Sequence, residues 1–287
     1  MQVTKDLYVC VYASQVAMCI GANRHKKLGD AAELMWRRIS PETYVKALQR
    51  NGIKTDEENV EDLVQSNTTV SKLVQQSFME CASSDDVAKS YGTAIHELRN
   101  ARDLDGSAKQ LVEDAIKKNL YTTYGNHNEP VIMTYINRVL GIACNTDPTF
   151  YKKLMGNING IPWYIGGKID GISENGKTVI EIKNRINRLF MRQTPIYEKI
   201  QVQTYLDLLD VPNGLLIECF TTEQGSVTSN IVPMARDASM WNEDIVPKLK
   251  LFITFILKLI EDPKLQDKFL ISKRRSSLVK HMLTTYA

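Results

Sequence analysis

The sequence predicts a mixed α/β fold: a central β-sheet flanked by helices, preceded by a mostly helical N-terminal region. Three observations predict it. Through the first 125 residues, apolar side chains recur at helical intervals. After Pro148 the texture changes to short β-branched runs punctuated by Gly and Asn-Gly. Between 240 and 261 the apolar stripe returns at helical spacing.

The elements follow in order. In LGDAAELMWRRI (28–39), Leu28, Ala31, Leu34, Met35 and Ile39 fall on one helical face. Pro41 breaks that helix and starts the next, ETYVKALQR. Residues 56–79 and 107–120 read as further helices. Gly125 ends the region, and NHNEPVIMTYINRVLG (126–141) opens a new helix with an Asn cap and Pro130 in its first turn. FYKKLMGN, IPWYIGGKIDGIS and KTVIEIKNR read as three successive strands, with ENGK (174–177) as a hairpin turn because Asn-Gly accepts positive φ. A helix (197–210), strands at 214–223 and 226–234, and the helix at 240–261 complete the order. The expected organisation is one domain over 1–287. Residues 1–120 are mostly helical with an insertion at about 41–119, 121–235 form the core, and 236–287 are C-terminal helices.

Composition excludes several classes. Of the 287 residues, 43% are hydrophobic and 24% charged, which is ordinary for a globular chain, and a net charge of +3 is compatible with nucleic acid without arguing for it. Five dispersed cysteines contain no CxxC pair, so neither a zinc ribbon nor a cysteine-ligated iron–sulfur cluster is suggested, and the odd count fits a reducing, intracellular compartment. MQVTKDLYVC lacks a leader pattern, and LFITFILKLI (251–260) spans about half a bilayer and carries Lys258, so a core helix and no membrane is expected.

The chemistry concentrates in KTVIEIKNR. Strand alternation turns Val179, Glu181 and Lys183 one way and Ile180 and Ile182 the other, with the Ile face on the core. An unpaired buried ion costs several kcal/mol, so the Glu181/Lys183 face needs a compensating partner. Across the ENGK turn stands Asp170, close enough to Glu181 for the two carboxylates to repel unless a cation lies between them. Hard oxygen donors suit Mg²⁺ or Mn²⁺. Gly166, Gly167 and Gly171 would let a ligand approach the backbone. Lys183 would then orient an attacking water and offset phosphate charge. The pattern D-x₁₀-E-x-K thus suits in-line attack on a phosphodiester. Taken alone, E-x-K also serves as a same-face salt bridge on an exposed strand edge.

The set D…EIK on hairpin-linked strands, a preceding helix with Glu129, and a following helix with Gln201 and Tyr205 in QVQTY resembles the PD-(D/E)XK nuclease superfamily. Within it, the resemblance is to the lambda exonuclease and YqaJ viral recombinase family. Gly125 through Pro130 matches that family's G-x-x-x-E-P, and ASQVAMCIGANRHKK with AAELMW matches its opening segment. The resemblance spans residues 10–40 and 120–223. It implies a restriction-endonuclease-like core. Asp170, Glu181, Glu129 and the Ile182 carbonyl would bind Mg²⁺ or Mn²⁺, Lys183 would serve the water, and Gln201 would support the site. Ser14, Arg24 and Tyr205 would contact DNA, the first two at a terminal 5′ phosphate, although no second Arg lies near Asp6 or Leu7. It further implies an exonuclease acting on linear duplex DNA from 5′ ends in viral or phage recombination, partnered by a single-strand annealing protein and assembled as a homo-trimer.

Alternatives stay open in the sequence. Gly92 to His96 (GTAIH) fits the G-x-x-x-H of RecB-like nucleases. A structure-specific or sequence-specific endonuclease uses the same core, and a non-catalytic DNA-binding protein would keep only the sheet. Trp163 and Tyr164 suit either base stacking or core packing, and the basic tail SKRRSSLVKH (272–281) suits either phosphate contact or a solvated end.

Overall fold

In the computed structural model, which describes residues 7–191 and 193–286, the chain opens with β1 (Val9–Tyr12) and passes at once into α1 (Ala13–Cys19). The segment MQVTKD, read above for a leader pattern and including Asp6, lies outside the described residues. Helices α2 (Leu28–Ile39), α3 (Pro41–Asn51), α4 (Asp56–Ser66), α5 (Thr68–Gln76), α6 (Ser84–Asn100) and α7 (Gly106–Arg138) follow. Then come β2 (Cys144–Thr146), β3 (Tyr151–Ile158), β4 (Ile161–Gly167), β5 (Gly171–Ser173) and β6 (Thr178–Arg185). The chain continues through α8 (Ile196–Leu209), β7 (Asn213–Thr221) and β8 (Val227–Ala235). A π-helical turn (Met240–Ile245) leads into α9 (Val246–Glu261), and α10 (Pro263–Ile271) and α11 (Arg275–Tyr286) close the molecule.

The mixed sheet comes as two ladders. One has the order β1-β4-β3, and the other β2-β5-β6-β7-β8. Within them β1 runs parallel to β4 and β6 parallel to β7, while the remaining pairs are antiparallel. This divides the stretch 161–173, expected as one strand. Its first half belongs to one ladder and its end to the other, and Lys168–Asp170 cross between them. Asp170 therefore stands at a crossing rather than inside a strand. The turn at 174–177 forms as expected, with Gly176 at φ 69° and its N–H donating to the Ser173 carbonyl at 2.8 Å.

Strand β6 is buried on both faces. Val179 joins the main core with Ile200 and Val202 of α8. Ile180 and Ile182 pack with Ile132 and Ile136 of α7. The Ile face packs on the core as expected, and α8 covers the Glu181/Lys183 face, so the alternative of a salt bridge on an exposed strand edge does not hold.

Three helical expectations change. Residues 56–79 split at Asn67, whose side chain accepts from the Val70 N–H and caps α5. Gly125 does not end a helix and no cap begins at Asn126, because α7 runs on through Pro130. An interior proline costs about 3 kcal/mol. Burial at both ends of α7 outweighs it: Ile116, Leu120 and Tyr124 fill a helical-layer core with α5 and α6, and Ile132, Met133 and Ile136 fill the core under the sheet. The tail is docked rather than solvated. Val279 is buried, the Gly29 N–H donates to Ser276 Oγ at 2.9 Å, and Arg275 pairs with Glu33.

Candidate active site

Glu181 is 3% exposed at the middle of β6. Its Oε1 accepts from Lys183 Nζ at 2.6 Å and from Gln201 Nε2 at 2.8 Å. Its Oε2 is buried and has no hydrogen-bond partner among the described residues. Strand alternation places Lys183 beside Glu181, and α8 brings Gln201 over both. Gln201 Oε1 accepts from Lys183 Nζ at 3.1 Å, so one amide grips the carboxylate and the ammonium together.

Asp170 faces Glu181 across the hairpin, in the position that follows the Gly171–Ile180 pairing. Its Oδ2 accepts from the Ile182 N–H at 2.6 Å. Burial pushes its carboxyl up to about 6, with the Ile182 N–H and Lys183 opposing and Glu129 adding to the rise. Glu181 is pushed up to about 7, first by burial and then by the Asp170 charge, against Lys183. For Lys183, burial works against the charge, but Glu181 and Asp170 outweigh it and the amine is held above its ordinary value. Glu129, half-buried on α7, is raised by burial and by Glu181. Three carboxylates thus share one field with a single ammonium.

Those residues fit a hard divalent cation. An orphaned carboxylate oxygen lies beside a second carboxylate, in an all-oxygen donor set. No three His, Cys, Asp or Glu side chains among the described residues lie close enough to hold an ion by themselves. The carboxylates that stand together are Asp170, at the crossing between the ladders, and Glu181 of β6, while Glu129 is coupled to both through its charge.

Other expected residues divide. Tyr205 is buried, receives a 3.4 Å bond from Gln201, and backs the site rather than facing solvent. Arg24 is exposed and lines a cleft of about 680 Å³ together with Arg188 and Lys199. Ser14 is exposed on α1 and is not among the residues lining that cleft. His96 is exposed on α6 and bonds Asn100 at 3.2 Å, whereas Glu129 couples to Glu181. Trp163 is fully packed in the core, and Tyr164 lies under Lys152, whose ammonium is 4.0 Å from the ring centre. The glycines expected to admit a ligand are filled by protein. A Cβ on Gly166 would meet Phe150 at 2.9 Å, one on Gly167 would meet Tyr205 at 2.9 Å, and one on Gly171 would meet the Asn145 carbonyl at 2.9 Å.

Sequence reasoning missed Arg185, Glu198 and Glu218. Arg185 donates to both Glu198 oxygens at 2.8 and 2.7 Å and, through Nε, to Glu218 Oε1 at 2.7 Å. A signal existed: Arg185 continues the i, i+2 series of Glu181 and Lys183, and Glu198 precedes Gln201 by one helical turn.

No protein-family model matches the chain, and no curated protein matches it. Solved structures are similar to it at low identity. The crystal structure of SSO0001 is 18% identical over 71% of this chain and 85% of that one, with a TM-score of 0.35. An alkaline exonuclease, LHK-Exo from Laribacter hongkongensis, is 14% identical over 64% of this chain and 90% of its own, at 0.38. A phage-related exonuclease from Haemophilus somnus 129PT is 17% identical over 69% and 92%, at 0.33.

Proposed function

We propose that the chain is a divalent-metal-dependent deoxyribonuclease of the PD-(D/E)XK type that hydrolyses linear duplex DNA from its ends. The observation that carries this reading is the Glu181 carboxylate. One oxygen is gripped by Lys183 and Gln201, and the other is buried without a partner among the described residues, beside Asp170. Leaving a buried acceptor unmatched costs about 1–3 kcal/mol, more for a charged group, and a cation removes that cost. Asp170, Glu181 and the Ile182 carbonyl would hold Mg²⁺, or Mn²⁺ in its place, with Glu129 adding negative charge. When bound, such an ion supplies Lewis-acid polarisation of the phosphate and makes water acidic enough to attack near neutral pH.

The chain's own residues do the rest. Lys183 stays protonated beside Glu181 and offers an ammonium both to the attacking water and to the charge that builds on the phosphoryl oxygens. Gln201 fixes the rotamers of Lys183 and Glu181 at once. Burial of Glu181 lowers the local dielectric, so each of these interactions is stronger than it would be in water. Digestion from 5′ ends with 5′-phosphate products, Ser14 and Arg24 at the terminal phosphate, and a role in viral or phage recombination beside an annealing protein follow from the resemblance of residues 10–40 and 120–223 alone.

The test uses purified protein with Mg²⁺ on linear duplex and on covalently closed circles, compared with Asp170→Ala and Lys183→Ala. Expected is digestion of linear DNA, lost in both variants and with chelator, and intact circles. Undiminished digestion by both variants would exclude this site, and cutting of circles would replace the exonuclease by an endonuclease on the same core.

A further inference from the structure

Beyond the metal-side residues, β6 and α8 are fastened by a second rung. Glu181, Lys183 and Arg185 alternate onto the face that α8 covers, and Gln201 meets the first two. One turn earlier on α8, Glu198 meets the third, its two oxygens taking both terminal nitrogens of Arg185. Two strand residues advance roughly 6.6 Å and three helical residues roughly 4.5 Å, so long side chains at 185 and 198 close the mismatch. The guanidinium also reaches across to β7, where Glu218 stands in register with Lys183. Glu218 in turn accepts from the Phe190 N–H at 3.2 Å and from Asn230 at 2.7 Å. Glu198 is 3% exposed and Glu218 is fully buried. A single planar fork therefore ties the end of the catalytic strand, the start of the Gln201 helix, the neighbouring strand and the loop that walls the cleft.

We infer that Arg185 is a positioning residue for the proposed nuclease reaction, acting through Glu198 on α8 to set where Gln201 holds Lys183 and Glu181. The inference rests on the nuclease reading. It follows from connectivity: Gln201 reaches the site from a helix whose first turn is fixed to β6 by this fork, and Lys183 lies two residues from the fork on the same strand face. A lysine cannot replace the fork, because one ammonium cannot bond two carboxylates in two directions with the same geometry.

Removing Arg185 outright would leave two buried carboxylates unpaired and threaten folding, so the test starts from Glu198→Ala, in which the Arg185–Glu218 pair survives. On linear duplex with Mg²⁺, kcat should fall roughly 10–100-fold while KM for DNA changes less than about threefold. Glu198→Asp, which keeps two acceptor oxygens for the guanidinium, should restore part of the loss, and Arg185→Lys should behave like Glu198→Ala. If Arg185 and Glu198 act through Gln201, the Glu198→Ala/Gln201→Ala pair should lose no more than the worse single variant. Amide exchange in the metal-free protein gives a readout independent of turnover. Residues 186–200 should exchange faster in Glu198→Ala while β7 and α9 keep wild-type rates. Wild-type kcat in Glu198→Ala, multiplied losses in the double variant, or unchanged exchange over 186–200 would each overturn the inference. An inactive wild type would instead remove the nuclease reading itself, so the two failures are told apart by the wild-type lane.

Discussion

Glu181 has an ammonium on one oxygen and, on the other, no hydrogen-bond partner among the described residues, and two predictions follow at the residue scale. Lys183→Met removes the charge but keeps much of the stem. Turnover on linear duplex should fall by roughly 10²-fold or more, while Mg²⁺ binding followed by calorimetry persists. The second concerns pH. Glu181 is raised from 4.5 to about 7, and Asp170 from 3.8 to about 6. Between the unfolded and folded values the native state holds more protons than the unfolded chain, so stability is greatest at the acid end of that window and declines as pH rises through it. Melting in chelator should show a midpoint falling from pH 5 to pH 8. Mg²⁺ at pH 8 should restore it, and Glu181→Gln should flatten the profile. A metal-free midpoint that climbs over that range would contradict the burial of these carboxylates.

At the scale of elements, the site depends on how closely α8 lies on the sheet. Gly167 lets the Tyr205 ring touch the β4 backbone, and Gly214 does the same for Val202 on β7, where a Cβ would stand 2.7 Å from Cγ1. Gly167→Ala forces Tyr205 away and moves the helix that carries Gln201. Overpacking of this kind costs about 1–3 kcal/mol, so a lower melting midpoint and slower digestion should appear together. Helix α7 makes the opposite case. Pro130 breaks its hydrogen-bond ladder one residue after Glu129. Pro130→Ala should raise the melting midpoint by several degrees, since an interior proline costs about 3 kcal/mol. An unchanged or lowered midpoint would mean that the surrounding packing is adapted to the break.

For the whole molecule, the C-terminal helices lock onto the N-terminal ones. Arg275 pairs with Glu33, Ser276 accepts from the Gly29 N–H, and a Cβ on Gly29 would meet Arg275 at 2.9 Å. The basic stretch 272–281 is therefore built into the fold, whatever further part it plays with DNA. Deleting residues 272–287 uncovers the pocket filled by Val279 and should lower the melting midpoint by about 5 °C or more. A tail serving only to grip phosphate would leave the melt unchanged and weaken DNA binding alone. Among the described residues no helix is long and apolar enough to cross a membrane, in keeping with the reading of 251–260 as a core helix.

The residues themselves determined the local chemistry of this protein. Strand alternation and an Asn-Gly turn put Asp170, Glu181 and Lys183 together, because neighbours within about a dozen residues are fixed by backbone periodicity and turn geometry. Gln201 was legible through its resemblance motif, and the split at Asn67 was there to be read from its capping side chain. What only the tertiary structure decided lies at long separation. It joined α7 through Pro130, sent the two halves of 161–173 to different ladders, filled the site glycines with Phe150, Tyr205 and Asn145, and closed the Arg185 fork on Glu198 and Glu218. Those outcomes depend on which surfaces the whole chain can bury against one another, and a linear pattern of residue types does not contain that competition.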